Sequence, residues 1–323
     1  MFSQLKKEIA VYTEVAEKTN VIIPRDPQEF YADFGFLSHP RLKDVNGQPL
    51  LVKKLAPYQF EFWSYPGNAL AIKSQKIGLT TTSLMEDFQF TLLPEGAGKD
   101  VLVIAQNQLL ADDHILTFKR MIYQSEKYSQ FLVTTPDGFR EEKTKMSVIF
   151  VRNPYDNNRP SRIIALGKSE ASIWSWKNVA KIHMSDVAKL DIKEQKNFFA
   201  AVYSRLANTQ GIIKIETPPN GQQGEVYNIY NKSRAKIIED ENLAIQETFV
   251  EDPVDNASKF RIFVYPAIEA VKAEIISREF LEQERIEIGD LLFSQLYECN
   301  FLPPGNQWYN ESMIYTEDYG VGF

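Results

Sequence analysis

Two hydrophobic rhythms run along the chain, and the change from one to the other sets the expected architecture. Residues 3–40 read as helical. Leu5, Ile9, Val11, Tyr12 and Val15 recur at roughly helical spacing. Asp26-Pro27 followed by Glu29 supplies an N-cap, a proline at the first helical position and an acid in the first turn. From Leu70 onward, short apolar runs alternate with helical stretches. Leu70-Ala71-Ile72 precedes a helix over about 80–92, and residues 101–105 (VLVIA) form an almost unbroken apolar run, as a strand buried on both faces does. An amphipathic helix then continues through about residue 128. Residues 130–175 read as a β-meander of FLVTT, MSVIFV and SRIIALG, separated by the turn-rich PDG and NPYDNNRP. A strand over 179–184, a helix over 192–206 and a strand over 211–215 follow. Strands alternating with helices predict a doubly wound, mainly parallel α/β sheet, in which ligands sit beyond the carboxyl ends of the strands. The tail turns acidic (IIEDENLAIQETFVEDPVDN), then offers a strand near 260–264 and a helix over 267–280. The expected organisation is a helical segment at 1–45, a core at 46–240 and a C-terminal subdomain at 241–323. The last boundary falls between 232 and 258.

Composition narrows the class. With 323 residues, 44% hydrophobic and 24% charged, the chain has the make-up of a soluble globular protein with ample core. Its apolar runs are of strand length, against the ~20 residues that a spanning helix needs. Charged residues interrupt MFSQLKKEIAVYTEVAEKT every few positions, so it does not read as a signal peptide. Cys299 is the only cysteine, which rules out an intrachain disulfide, favours an intracellular location and reads as a buried thiol. A net charge of −7 argues against strong general DNA binding, which needs clustered Lys and Arg. Lys53-Lys54, Lys143 with Lys145, and Arg159 with Arg162 read as solvated surface. A motor that grips and releases DNA through few contacts per subunit remains compatible with that charge.

The chemistry concentrates in a few stretches. AIKSQKIGLTTTSL, residues 71–84, orders strand, loop and helix as phosphate binding requires, so that loop amides and a helix N-terminus face an anion. Gly78 is followed by Leu79, where the standard loop has lysine; ammonium groups stand instead at Lys73 and Lys76. Thr80 falls where the loop hydroxyl would ligate Mg²⁺. Gly96-Ala97-Gly98-Lys99 looks more like a nucleotide loop by its letters, but it precedes its strand and reads as a turn. KLAPYQFEFW, residues 54–63, offers Gln59, whose amide can donate to and accept from an adenine edge. VAKIHMSDVAKLD, 179–191, is an apolar strand ending in Asp186. GIIKIETPPNGQQGEVYNIYN, 211–231, is a further strand ending in Glu216-Thr217 and a Pro/Gly turn.

Together these pieces resemble the ATPase domain of viral terminase large subunits, the motors that package DNA into procapsids. The resemblance covers roughly residues 20–323. It rests on Tyr58-Gln59, AIKSQKIGLTTT, IHMSDVA and above all IIKIETPPNGQQGEVYNIYN, which is similar to the family's coupling motif. Some terminases carry a deviant loop with its lysine at the start, and Lys73-Ser74-Gln75-Lys76-Ile77-Gly78 is similar to that form. The resemblance implies a P-loop ATPase fold that uses ATP and Mg²⁺. Residues 73–81 (Lys73, Ser74, Gln75, Lys76, Ile77, Gly78, Leu79, Thr80, Thr81) with Gln59 would bind ATP. Lys73 and Lys76 would neutralise phosphates, Thr80 and Asp186 would hold the metal, and Thr217 would couple γ-phosphate state to motion. It also implies transient contact with duplex DNA, a small-subunit and a portal partner, a working ring of subunits, and action in the host cytoplasm at the procapsid portal. The family usually has Asp-Glu after its Walker B strand, where this chain has Ser185-Asp186-Val187. Aligned with the metal-holding Asp, Asp186 leaves no neighbouring Glu; a one-residue shift would make Asp186 the base and Ser185 the metal partner. Glu216 is the acid expected to fill the base role, or else a partner of Lys73 or Lys76. The chain stops at SMIYTEDYGVGF, near where the family's nuclease domain begins, so nuclease activity is not expected. Two other readings are a catalytically weakened, nucleotide-binding structural relative and a helicase-like repair ATPase.

Overall fold

The computed structural model describes residues 22–34, 37–43, 49–52, 54–133, 147–207, 209–242 and 260–303. Helix α1 (Pro27–Asp33) opens as its sequence predicts, with Pro27 in the first turn and the Asp26 side chain accepting the Glu29 amide at 2.9 Å. The helical reading then fails before residue 40. Strand β1 (Leu37–Lys43) pairs antiparallel with β2 (Pro49–Val52). Pro40 stands inside β1, and a proline there would have interrupted any helix carried through it. Residues 3–21 of the predicted helical lead lie outside the described residues.

Helix α2 (Pro57–Ser64) leads into a second, larger sheet, whose strands are connected by helices α3 (Leu79–Leu92), α4 (Gln108–Gln124), α5 (Glu126–Ser129), α6 (Glu170–Trp174), α7 (Ile192–Leu206) and α8 (Gly224–Asn242). Its strands are β3 (Ala69–Lys73), β4 (Asp100–Ala105), β5 (Val148–Asn153), β6 (Asp156–Leu166), β7 (Val179–Ser185), β8 (Ile212–Thr217) and β9 (Arg261–Tyr265). They lie in the order β5-β6-β4-β7-β8-β3-β9, and every neighbouring pair is parallel except β5–β6. This is the predicted doubly wound α/β sheet.

Both faces of the sheet are covered. Val101, Val103, Ile163 and Ala165 pack with Phe30 of α1, Met85 and Phe88 of α3, and Ile115 and Phe118 of α4. The alternate residues Leu102, Ile104, Ile164, Ile182, Met184, Ile213 and Ile215 pack with Phe198, Phe199 and Val202 of α7 and with Val226 and Ile229 of α8. Each side chain so buried contributes on the order of 2 kcal/mol relative to exposure, and this drives the layers together.

Two sequence expectations need correction. Residues 130–175 are not a separate meander. Strand β6 pairs antiparallel with β5 on one side but parallel with β4 on the other, which joins the hairpin to the main sheet. Its apolar residues serve both faces, Ile163 and Ala165 one, Ile164 and Leu166 the other, as an interior strand requires. Of FLVTT, Leu132 makes a single bridge to Val151, and residues 134–135 lie outside the described residues. The helix expected over 267–280 is in fact two, α9 (Ala267–Lys272) and α10 (Arg278–Ile288), with Ser277 capping the second. A further helix, α11 (Asp290–Leu296), follows. Strand β9 forms the edge beside β3, so part of the segment after residue 241 belongs to the main sheet. No helix among the described residues is long and apolar enough to cross a membrane.

Candidate functional site

The loop between β3 and α3 is gripped on several sides. Tyr58 Oη and Gln59 Nε2, both on α2, donate to the Ile77 carbonyl at 2.6 and 3.2 Å. The Ser74 amide donates to Tyr265 O at the end of β9, and the Gln75 amide to Leu296 O at the end of α11. The Ser74 hydroxyl donates to Gln75 O at 3.1 Å. Gly78 then turns the chain into α3 with φ 75°, where a Cβ would be strained and would meet Gln59 Nε2 at 3.0 Å. The first helical amides, of Leu79, Thr80 and Thr81, have no carbonyl a turn earlier to bond, which is the anion-binding end of any helix. Gly78→Ala is expected to lower stability by about 1–2 kcal/mol through the left-handed backbone alone, as read by urea denaturation.

At the carboxyl ends of β3, β7 and β8 four of the predicted site residues converge. Lys73 Nζ lies 2.9 Å from Glu216 Oε2 and 3.5 Å from Asp186 Oδ1. The Thr80 hydroxyl donates to Glu216 Oε1 at 2.9 Å. Strand register explains the meeting: Glu216 of β8 stands opposite Ala71 of β3 and Ser185 of β7. Asp186 leaves β7 in a left-handed conformation, φ 56°, with its amide bonded to the Glu216 carbonyl. Thr217 Oγ1 accepts the Ala188 amide at 3.2 Å and so ties the turn after β7 to the end of β8.

Burial pushes the Lys73 ammonium toward neutrality, but Glu216 and Asp186 outweigh it and hold its pKa above the usual lysine range. Burial acts on Glu216 in the opposite sense, raising its pKa. Lys73, His183 and the Ser185 hydroxyl reverse this and bring it down to about 2. Glu216 is therefore an ionised, fully buried carboxylate.

Behind Glu216 a buried ionic chain runs between α3, β7 and β8. His183 Nε2 lies 3.4 Å from Glu216 Oε1, and His183 Nδ1 lies 2.7 Å from Asp87 Oδ2. Lys181 Nζ pairs with Asp87 at 2.8 Å and Glu86 at 2.9 Å. Lys214 Nζ reaches Glu86 at 2.7 Å and donates to Phe62 O and Trp63 O of α2 at 2.8 and 3.0 Å. None of Asp87, Glu86, Lys181, His183 or Lys214 stands out from the motifs. Their signal is a period of two: K-x-H-x-S in β7 and K-x-E in β8, facing Glu86-Asp87, the acids of α3. In isolation that pattern reads as a solvated strand face.

Other predicted residues lie elsewhere. Lys76 points away from the carboxylates: its Nζ is 2.8 Å from Glu284 Oε1 and 4.6 Å over the Phe280 ring of α10. The two lysines that the sequence leaves open are thus distinguished, Lys73 being the one within the cluster. Gln59 is engaged within the protein. Its Oε1 accepts the Ala56 amide at 3.0 Å and its Nε2 holds Ile77 O, so it braces the loop. Ser185 Oγ is buried, 3.4 Å from His114 Nε2. The stretch at residues 96–99 enters β4 at its amino end, far from the carboxyl ends, as its order in the sequence requires. Cys299 is buried, its Sγ 3.4 Å from Tyr265 O, and burial raises its pKa to about 12.

No protein-family model and no curated protein matches the chain. Its structure, however, is similar to solved phage proteins. The ATPase domain of the Thermus phage P74-26 large terminase superposes with a TM-score of 0.55 at 13% identity, covering 77% of this chain and 94% of that one. The HK97 bacteriophage large terminase gives 0.53 at 12% identity, covering 84% and 55%. The large terminase of another thermophilic bacteriophage gives 0.52 at 8%, covering 76% and 53%. The chain thus spans about half the length of these last two proteins. At these identities the likeness speaks for architecture, and the chain has the fold of a phage large-terminase ATPase domain.

Proposed function

We propose that this chain is the ATP-hydrolysing motor domain of a terminase large subunit, coupling Mg²⁺-dependent hydrolysis to movement of duplex DNA. The observation that carries the reading is the convergence of Lys73, Thr80, Asp186 and Glu216 beside a left-handed glycine and a helix N-terminus. Phosphoryl transfer in such sites is catalysed mainly by positioning and charge neutralisation, which these groups supply. In this reading Lys73 leaves Glu216 to neutralise the β/γ-phosphates, and Lys76 is a second cation at the outer end of the loop. Glu216, released from Lys73 and Thr80, orients and deprotonates the attacking water. Thr217 passes the change to the turn after β7. Duplex DNA, a small subunit, a portal and a ring of subunits are the partners this function brings with it.

The donor set fits Mg²⁺. The Thr80 hydroxyl and the Asp186 carboxylate are hard oxygens, and the buried Asp186 Oδ1 meets the Lys73 ammonium only at 3.5 Å, a long contact that an ion could replace. When bound with ATP, the ion would neutralise charge on the phosphate oxygens.

A Mg²⁺-dependent ATPase assay with and without duplex DNA tests the proposal; absence of turnover under both conditions would refute it. Lys73→Ala is expected to cut turnover by about 10²–10³-fold, the usual effect of removing one preorganised charge. Lys76→Ala should cost less, and Lys99→Ala should be close to neutral. Equal losses at all three positions would mean that the loop is not the phosphate site. One observation favours the weakened relative: Val187 stands where a catalytic Glu would follow Asp186, and Glu216 is held on every side. Tight ATP binding without turnover would identify it.

A further inference from the structure

The imidazole of His183 lies between two carboxylates, Asp87 at 2.7 Å from Nδ1 and Glu216 at 3.4 Å from Nε2, and the residue is fully buried. An ionised carboxylate only accepts hydrogen bonds, so each ring nitrogen needs its own hydrogen to bond on its side; a neutral imidazole has one. Charge balance leads to the same state. The linked cluster contains four acids (Glu86, Asp87, Asp186, Glu216) and three lysines (Lys73, Lys181, Lys214). One more positive charge balances it, and His183 is the group in this chain of contacts able to carry that charge.

We propose that His183 is a doubly protonated imidazolium, anchored by Asp87, that positions the Glu216 carboxylate and keeps it ionised at the loop. The groups around it agree with this assignment. From α3 it faces Asp87, with Glu86 beyond Lys181; from β8 it faces Glu216, with Lys214 alongside. Lys181 and Ser185 flank it on its own strand, and Lys73 of β3 lies across Glu216. His114 of α4 has its pKa lowered by burial, so it is neutral at physiological pH and adds no opposing charge. Burial alone would neutralise His183, but Asp87 and Glu216 raise its pKa to about 9.

The role follows from what Lys73 must do. In the ATPase reading Lys73 turns to phosphate and takes away the largest counter-charge of Glu216. A buried carboxylate left without a cation takes up a proton and loses its ability to act as a base. His183 cannot follow Lys73, because Asp87 holds it from α3. It therefore keeps Glu216 charged and aimed while the loop is engaged. His183 is a positioning residue, since it meets Glu216 and not the loop itself.

Two experiments test this, and only the second rests on the ATPase reading. The chain has three histidines, so a full-length His39→Gln/His114→Gln variant leaves His183 as the sole imidazole. Its ¹⁵N imidazole spectrum at about pH 7.5 should show both ring nitrogens protonated, with titration near pH 9 in place of the usual ~6.5. A single protonated nitrogen at that pH, or titration near the ordinary value, would overturn the proposal whatever the enzyme does. In the second experiment, His183→Asn should lower kcat by about 10–100-fold with KM for ATP little changed, as loss of a supporting contact behind a catalytic group does. The parent should lose activity as pH rises through about 9, and the variant should lack that alkaline limb. A lower melting temperature with kcat and pH profile intact would show a merely structural histidine and reject the positioning role. If the parent does not hydrolyse ATP, the functional reading fails, and the spectrum alone decides the state of His183.

Discussion

Glu216→Gln is expected to lower ATP turnover by about two to four orders of magnitude while nucleotide binding persists. Glutamine keeps the size of the side chain and its capacity to accept from Thr80, but cannot take a proton from water. Val187 offers no alternative, and Asp191, the next acid along the chain, is engaged as the N-cap of α7, accepting the Lys193 amide at 2.8 Å. The same substitution removes the main partner of Lys73 and one of the two carboxylates on His183. Stability should therefore fall as well, by about 3–5 kcal/mol, the cost of leaving buried charges uncompensated. The pH dependence separates this term. The Glu216 carboxyl is depressed in the folded chain to about 2, below its ordinary 4.5. Its contribution is present above about 4.5 and lost as pH falls through about 2, so the variant should lose less stability than the parent across that acid range. Turnover equal to the parent's, with ATP bound, would move the base elsewhere. Turnover lost together with ATP binding would make Glu216 an anchor of the loop and not a base.

The fold was legible where hydrophobic periodicity was unambiguous. The VLVIA run could only be an interior strand, and the alternation after Leu70 required a parallel sheet with crossover helices. Misreadings arose where neighbours decide. The hairpin containing β6 looks like a meander because its two strands pair locally, and only the parallel partner β4, far earlier in the chain, joins it to the main sheet. Of the site, Lys73, Thr80, Asp186 and Glu216 could be found because each ends a strand or opens a helix, and topology brings such ends together. The choice between Lys73 and Lys76 was not legible. It depends on Glu284, which is 208 residues from Lys76 in the chain. The bracing contacts of Gln59 were hidden for a related reason: an amide reads the same whether it faces a ligand or a backbone carbonyl. The ionic chain was hidden by its own alternation, because Lys181, His183 and Ser185 look solvated until α3 is placed over them with Glu86 and Asp87.

Lys181→Met should cost about 3–5 kcal/mol of stability by urea denaturation, as large a loss as that expected at Glu216. Lys181 is fully buried and pairs with both Asp87 and Glu86, whose attraction outweighs the burial that would otherwise lower its pKa. Methionine matches it in volume and reach, so the loss measures charge and not a cavity. Its removal leaves two acids on α3 with only His183 and Lys214 to answer them. Adding Glu86→Gln should recover part of the loss, giving a coupling of about 1–3 kcal/mol, because it removes one of the orphaned charges. Asp87→Asn in the same background should recover stability too, but it also withdraws the anchor of His183, so turnover should fall where Glu86→Gln spares it. That divergence separates the two halves of the chain of contacts. Glu86, Lys181 and Lys214 fasten α3 to the sheet and to the carboxyl end of α2, the helix whose Tyr58 and Gln59 hold the loop. Asp87 and His183 reach instead toward Glu216. If both second-site variants changed turnover equally, the network would be a single structural unit, and no part of it would act on the carboxylate in particular.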